Sequence, residues 1–178
     1  MEVSQTHDCI DRRTEKLATA DRPFHFLDSG LSNVYLVGIR YFVCECGSIV
    51  AEVPAIKQLM RLLARDLIES PKPLSGEEVR FLRKRLGKKA TDFAQNLGLE
   101  PETLSRMENG KQAISEQSDK LIRLLYAISC DDRELLERVS KLVRPLLAAW
   151  SERSGAGSNL APRIVKKIDD QEWIDIAA

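Results

Sequence analysis

Hydrophobic positions in the N-terminal part of the chain follow two successive patterns. Between residues 23 and 53, short apolar runs rich in aromatic and β-branched residues alternate with glycine and serine, as in strands joined by turns. After Pro54, apolar residues recur at three- and four-residue steps as far as Ile68, which predicts an amphipathic helix. We therefore expect a small antiparallel sheet and one helix in a unit spanning residues 23–70. Residues 1–22 are polar and lack a period, which predicts an irregular leader.

The second half of the chain carries a helical period that is interrupted by capping residues and glycines. Residues 69–73 contain two prolines, which break a helix, so we place a domain boundary there. Beyond it, Ser75 and Glu78 have the spacing of a capping box at the start of a helix. The pattern predicts a helical domain over residues 74–150. Its five short helices are expected to begin near residues 75, 89, 101, 115 and 131.

The predicted fold class is therefore α+β, with a small N-terminal antiparallel β unit and one helix followed by an all-α five-helix domain. Residues 151–178 begin with a stretch rich in serine and glycine, which predicts a flexible tail. Two apolar segments in this tail, at 163–168 and 172–176, look like short ordered elements that bind a surface, such as that of a partner.

Composition and charge reduce the number of function classes that fit the chain. Of the 178 residues, 43% are hydrophobic and 30% charged, which is a globular composition. Lysine plus arginine equals aspartate plus glutamate, 27 each, so any contact with nucleic acid must be local. No apolar run reaches the about 18 residues of a membrane span, and the N-terminus lacks the apolar core of a signal peptide. We expect a cytoplasmic protein without membrane contact, associated with the nucleoid when it is bound to DNA.

Residues 89–111 have the pattern of two short helices that meet at a sharp turn. Ala94 is small where the helices must approach each other, and Gly98 stands where the turn needs a positive φ. Apolar residues stand where the second of these helices packs inward: Leu99, Leu104 and Met107. The segment closely resembles the helix-turn-helix of the Cro and phage-repressor family of regulators, the XRE family. The resemblance implies that the helix after the turn lies in the major groove of double-stranded DNA.

In that arrangement the helix after the turn presents its N-terminal residues to the bases. Its candidate DNA contacts are Glu100, Glu102, Thr103, Ser105, Arg106 and Asn109. The planar guanidinium of Arg106 matches the two acceptors of guanine, and Glu102 could accept a hydrogen bond from cytosine or tune specificity by repelling phosphates. Lys111 stands where a contact with the DNA backbone is usual.

Basic residues cluster between Val79 and Ala90, a stretch without any acidic residue. This local charge predicts phosphate contacts that fix the register of the protein on DNA. The candidate phosphate-binding residues are Arg80, Arg83, Lys84, Lys88 and Lys89. The family often begins the helix before the turn with Ser-Gln, whereas this chain has Lys89-Ala90, so Lys88 and Lys89 are expected to supply the phosphate clamp.

The cysteines suggest a second resemblance. Cys44-Glu45-Cys46-Gly47 ahead of a repressor-like domain is similar to the zinc-finger antitoxins of the MqsA type, whose N-terminal module binds zinc through two Cys-x-x-Cys pairs. Here each pair has one intervening residue, and the resemblance implies a structural zinc site formed by His7, Cys9, Cys44 and Cys46. The alternative is a set of reduced thiols, with Cys44 or Cys46 half-buried in a strand and Cys130 packing the end of a helix.

The sequence thus favours a homodimeric DNA-binding repressor of its own or a neighbouring operon. The second resemblance implies an antitoxin with a small toxin, or another operon-encoded protein, as partner. The alternative is a protein-interaction adaptor whose helix-turn-helix no longer reads DNA. The dimer surface is expected in the N-terminal unit or on the fifth helix of the helical domain. We expect no enzyme and no required cofactor, because the chain lacks a nucleotide-binding glycine loop and an HExxH motif.

Overall fold

Strands occupy the N-terminal part of the chain and its C-terminal end, with helices between them. The computed structural model describes residues 13–130, 135–139, 163–167 and 173–175. The strands are β1 (Arg13–Leu17), β2 (Phe24–His25), β3 (Val34–Val37), β4 (Arg40–Cys44), β5 (Ile49–Ala51), β6 (Arg163–Lys167) and β7 (Trp173–Asp175). The helices are α1 (Ile56–Glu69), α2 (Gly76–Arg85), α3 (Ala90–Asn96), α4 (Pro101–Glu108) and α5 (Glu116–Ser129), and residues 135–139 are also helical. The predicted α+β fold class is confirmed.

The first sheet is antiparallel, with strand order β1-β4-β5. Strands β4 and β5 form an antiparallel hairpin in which Phe42 is opposite Val50, and the apolar runs and turn residues predict an antiparallel sheet here. Strand β1 arises from the end of the leader that we expected to be irregular, and it pairs Arg13 with Cys44. All five of its side chains are exposed. Because a strand held by backbone hydrogen bonds alone needs no apolar face, its sequence carries no alternation that would have revealed it.

The second sheet is mixed, with strand order β2-β3-β6-β7. Strand β6 is parallel to β3, with Val34 opposite Arg163, and β7 is antiparallel to β6. The two apolar segments of the predicted tail therefore pair with strands of their own chain. Residues 151–162, which make up the serine- and glycine-rich start of that tail, lie outside the described residues.

The described residues fall into two units, one within the ranges 1–26, 33–59 and 161–178 and the other within 27–32 and 60–160. The first unit buries an apolar core: Ala18, Phe26, Val34, Leu36, Val37, Ile39 and Leu59. The core of the second unit is larger: Leu63, Leu67, Ile68, Val79, Leu82, Phe93, Leu104, Ile122, Leu135 and Val139. The division falls inside α1, between Leu59 and Met60, and residues 69–73 lie within the range of the second unit.

Two helices of the second unit begin at serine caps that the sequence predicts. The Ser75 hydroxyl accepts a hydrogen bond from the Glu78 amide at 3.3 Å, and the Glu78 carboxylate accepts one from the Ser75 amide at 2.8 Å. Helix α5 begins in the same way, with the Ser115 hydroxyl accepting from the Ser118 amide at 3.1 Å. These bonds satisfy amides that a helix leaves without internal partners. Among the described residues, no helix has the length and the apolar content needed to cross a membrane.

Candidate nucleic-acid interface

Helices α3 and α4 are joined by a short turn at Gly98, which has a φ of 66°. The Gly98 amide donates to the carbonyl of Gln95 at 3.1 Å, and the Leu99 amide donates to the carbonyl of Ala94 at 2.9 Å. This pair of bonds satisfies the last carbonyls of α3 and turns the chain sharply. Glycine adopts the left-handed conformation without the steric cost of a side chain. The turn predicted at Gly98 is confirmed.

The inner sides of α3 and α4 are buried and their outer sides are exposed. Phe93 and Ala94 of α3 are buried, as are Leu104 and Met107 of α4. The small methyl side chain of Ala94 occupies little volume between the helices, which is the packing that its position in the sequence predicts. The outer face of α4 combines side chains at positions i, i+3, i+4 and i+7, all exposed: Glu102, Ser105, Arg106 and Asn109. Thr103 is half-buried, and Glu100 is exposed at the N-cap.

Exposed cations lie on or beside the helices that contact α4, and directly after α4 in the chain. They lie at the end of α2, at the start of α3 and after α4: Lys84, Arg85, Lys88, Lys89 and Lys111. Three exposed carboxylates lie on or beside the same two helices, namely Asp92, Glu100 and Glu102. Because the charge is mixed, an approaching polyanion would be attracted to the cationic positions and repelled from the N-terminal end of α4.

The other two candidate phosphate-binding residues, Arg80 and Arg83, contact the carboxylate of Glu108 at the end of α4. Arg83 binds it with two hydrogen bonds, from Nε at 2.6 Å and from Nη2 at 2.8 Å. The side chains of Glu108 and Arg83 are only 5% and 13% exposed. This hydrogen bond, together with the attraction of the charge, raises the pKa of Arg83, against the opposing effect of burial. The charge of Arg83 is therefore neutralised within the domain.

Arg80 contacts the backbone at the same helix end. Its Nη2 donates to the carbonyl of Glu108 at 3.0 Å and to Oδ1 of Asn109 at 2.7 Å. The amide nitrogen of Asn109 in turn donates to the carbonyl of Ser105 at 2.7 Å. The last carbonyls of a helix lack internal partners, and Arg80 supplies one for Glu108. The carbonyl of Ser105 already accepts a hydrogen bond from the Asn109 amide and gains a second one from its side chain. Both polar atoms of the Asn109 amide are thus engaged at the end of α4.

Two residues at the contact between α2 and the end of α4 were not predicted from the sequence to matter there. They are Gly76 and Glu108. A Cβ atom on Gly76 would overlap the carbonyl oxygen of Met107 and would lie 3.0 Å from the carbonyl atoms of Glu108. Gly76, Arg80 and Arg83 follow one face of α2 at i, i+4 and i+7, so one stripe of that helix receives the last turn of α4. Two features of the sequence could have pointed to them. Gly76 directly follows a helix cap, where no turn requires a glycine, and Glu108 is a single carboxylate at the end of α4.

The predicted zinc ligands fall partly outside the described residues, since His7 and Cys9 are not among them. Cys44 is buried at the end of β4, and Cys46 is exposed in the turn of the hairpin, with its sulfur 3.4 Å from the hydroxyl of Ser48. Within the described ranges, no three potential metal ligands cluster. The thiols of Cys44 and Cys46 are sulfur donors of the kind that zinc prefers, but they are half of a tetrahedral set. The zinc site stays a prediction.

A comparison with known families agrees with this geometry. Residues 76–138 match the family model of a helix-turn-helix domain. No curated protein and no solved structure shows a significant match to the chain. The matched range begins at the first residue of α2 and includes α3, α4 and α5. The helix-turn-helix part of the predicted resemblance is therefore confirmed for residues 76–138, and it indicates a DNA-binding regulator.

Proposed function

We propose that this protein is a dimeric repressor that binds a specific double-stranded DNA sequence upstream of its own or a neighbouring operon. The exposed outer face of α4, beside the exposed cations of α2 and α3, is the observation that carries the proposal. A helix of this kind fits the major groove, where each base pair presents a distinct set of donors and acceptors. The resemblance to the Cro and phage-repressor family supports the role of repressor.

Base reading is assigned to Arg106, Glu102 and Ser105. Arg106 donates two hydrogen bonds to guanine, and Glu102 accepts one from the amino group of cytosine. Their spacing of four residues puts them one helical turn apart on the same face, so they contact neighbouring base pairs. Thr103 and Glu100 border this set, and their contacts are expected to be secondary.

Phosphate binding is assigned to the exposed lysines at the ends of the helices, namely Lys84, Lys88, Lys89 and Lys111. Each phosphate that such a side chain neutralises releases counterions and steepens the salt dependence of binding. Arg80, Arg83 and Asn109 are assigned mainly to the placement of α4, because their polar atoms are engaged at its C-terminal end.

The test is a titration of the full-length protein with its own upstream DNA and with a scrambled duplex, at several salt concentrations. Tight binding that resists the scrambled competitor would support a sequence-specific regulator. Weak binding that is equal for both duplexes would contradict the proposal and would favour the adaptor.

Two substitutions separate the assigned roles. We expect Arg106→Ala to cost about 1 to 3 kcal/mol of binding free energy and to relax specificity at one base pair. We expect Lys88→Ala to weaken binding to all sequences similarly and to reduce the salt slope by about one. Arg61→Ala, which removes an exposed cation from α1, is the charge-matched control and should change neither the binding free energy, nor the specificity, nor the salt slope. If Arg106→Ala weakens both duplexes equally, the assignment of base reading to Arg106 is wrong.

The dimer and the antitoxin role complete the proposal. A two-fold dimer would place two α4 helices in successive major grooves, about 34 Å apart. The Cys44-Glu45-Cys46 segment supports a role as an antitoxin, because it resembles that of the MqsA type. We expect the protein expressed with its native neighbouring genes to retain one small operon-encoded protein through purification and to elute as a dimer. A monomer that retains no neighbouring product would contradict both roles.

A further inference from the structure

Arg123 in α5 forms a buried ion pair that faces the start of the helix-turn-helix domain. Its Nε donates to Oδ2 of Asp119 at 2.8 Å, one helical turn away. The two side chains are only 3% and 2% exposed. A buried guanidinium needs partners for all its donors, and one carboxylate cannot supply them. The remaining donors must therefore be satisfied by other groups.

Backbone carbonyls supply those partners. Nη1 of Arg123 lies 2.7 Å from the carbonyl oxygen of Leu67, 2.8 Å from that of Ile68 and 2.8 Å from that of Ser70. Nη2 lies 2.6 Å from the carbonyl oxygen of Lys72. The first two carbonyls belong to the last turn of α1, where helical partners are lacking. One side chain thus binds the end of α1 and the connection that follows it.

Asp119 fixes the same connection at its other end. Its Oδ1 accepts a hydrogen bond from the Leu74 amide at 2.7 Å. Leu74 directly precedes Ser75, the N-cap of α2. The next residue, Gly76, lies against the carbonyls of the last turn of α4. A displacement of Leu74 would therefore move the start of α2, and with it the surface that receives α4.

We propose that Asp119 and Arg123 are positioning residues for DNA reading. They touch no DNA and act through the start of α2, which sets the position of the C-terminal turn of α4. The segment 70–74 is then a fixed part of the DNA-binding unit and not a hinge, although its two prolines provide no amide donors of their own. The inference rests on the proposed function, because it explains how the face that reads DNA is held.

Variants of Arg123 in the full-length chain test the inference. Arg123→Lys keeps the charge and the pair with Asp119, but an ammonium group cannot reach four carbonyls in different directions. Arg123→Gln removes the charge as well, and the lysine variant keeps the test decisive if the glutamine variant does not fold. The matched control is Arg65→Gln, which removes an arginine that pairs with Glu69 at the same i,i+4 spacing but is 35% exposed.

Two experiments are needed, hydrogen exchange and DNA titration, and the titration gives both the discrimination and the salt slope. Both are done at temperatures where circular dichroism shows the variant to be folded. Hydrogen exchange without DNA should become faster in residues 67–74 and 107–111 of the Arg123 variants. Discrimination between the upstream and scrambled duplexes should fall about 2- to 30-fold. The salt slope should stay unchanged, since no phosphate contact is lost. The control should leave all three quantities at the wild-type values.

Unchanged exchange in residues 67–74, or faster exchange there with full discrimination, would overturn the inference. Faster exchange in both segments together with reduced discrimination would support it. A wild-type protein that does not discriminate would overturn the proposed function itself. The exchange data, which need no DNA, would then decide whether Arg123 holds the connection in place.

Discussion

Gly76→Ala is expected to lower the free energy of unfolding by about 3 kcal/mol. The added methyl group would overlap the carbonyl oxygen of Met107 and press on the carbonyl of Glu108. These are backbone atoms, which cannot rotate away as the end of a flexible side chain can. Helices α2 and α4 would have to separate, which opens the core around Leu104. Urea denaturation followed by circular dichroism measures the loss, and the DNA titration should show reduced discrimination.

The appropriate control is Gly87→Ala. Gly87 has a φ of 65°, and a Cβ atom there would meet nothing within 4 Å. Alanine at this position would bear only the cost of the left-handed conformation, about 1 to 2 kcal/mol. Backbone conformation alone would make Gly87→Ala the more destabilising of the two substitutions, because Gly87 has a positive φ and Gly76 does not. A Gly76→Ala protein as stable as the wild type would show that α4 does not approach α2 as closely as described.

Local signals in the sequence were sufficient to predict the helices. The capping box of Ser75 and Glu78, the turn at Gly98 and the serine cap of α5 each depend on residues within a few positions of one another. Because such interactions involve only residues close together in the chain, they can be predicted without knowledge of the tertiary fold. The same holds for β3, β4 and β5, whose apolar runs and turn residues are adjacent in the chain.

Pairings between distant segments could not be predicted. Strand β6 pairs with β3 across more than a hundred residues, and a parallel pair carries no turn signal that would announce it. The role of Arg123 is hidden for a related reason, because its partners beyond Asp119 are backbone carbonyls, which are the same in every sequence. The segment 69–73 therefore looked like a linker from its prolines alone.

The basic cluster at the end of α2 shows a third limit. The cations can be identified from the sequence, but the sequence does not show which of them has an anionic partner in the folded protein. Arg83 binds Glu108, which is 25 positions away, whereas Lys88 and Lys89 are exposed. A candidate phosphate contact and a residue that holds α4 in place are thus indistinguishable until the fold brings the carboxylate to one of them.

Glu108→Ala is expected to lower the free energy of unfolding by about 3 to 5 kcal/mol. Removal of the carboxylate leaves the largely buried guanidinium of Arg83 without its anionic partner, although Nη1 still donates to the carbonyl of Lys88, and it removes one contact of Arg80. The last turn of α4 then keeps only the bonds of Arg80 to the Glu108 carbonyl and to Asn109 as hydrogen-bonded links to α2, so DNA discrimination should fall as well. Glu116→Ala is the control, since it breaks an i,i+4 pair with Lys120 that is partly exposed, and it should cost about 0.5 kcal/mol or less.

A double-mutant cycle decides whether this loss comes from the pair itself. If Arg83 and Glu108 stabilise each other, Arg83→Ala should cost little in the Glu108→Ala protein. There the second substitution removes the charge that the first one left without a counter-charge. The expected coupling energy is about 2 kcal/mol, within the range for residues in one hydrogen-bonded network. Additive effects of the two substitutions would mean that Glu108 stabilises α4 without Arg83, through Arg80 alone. Because Arg80 is the more exposed of the two arginines, its contribution should also weaken with salt, whereas that of the buried pair should not.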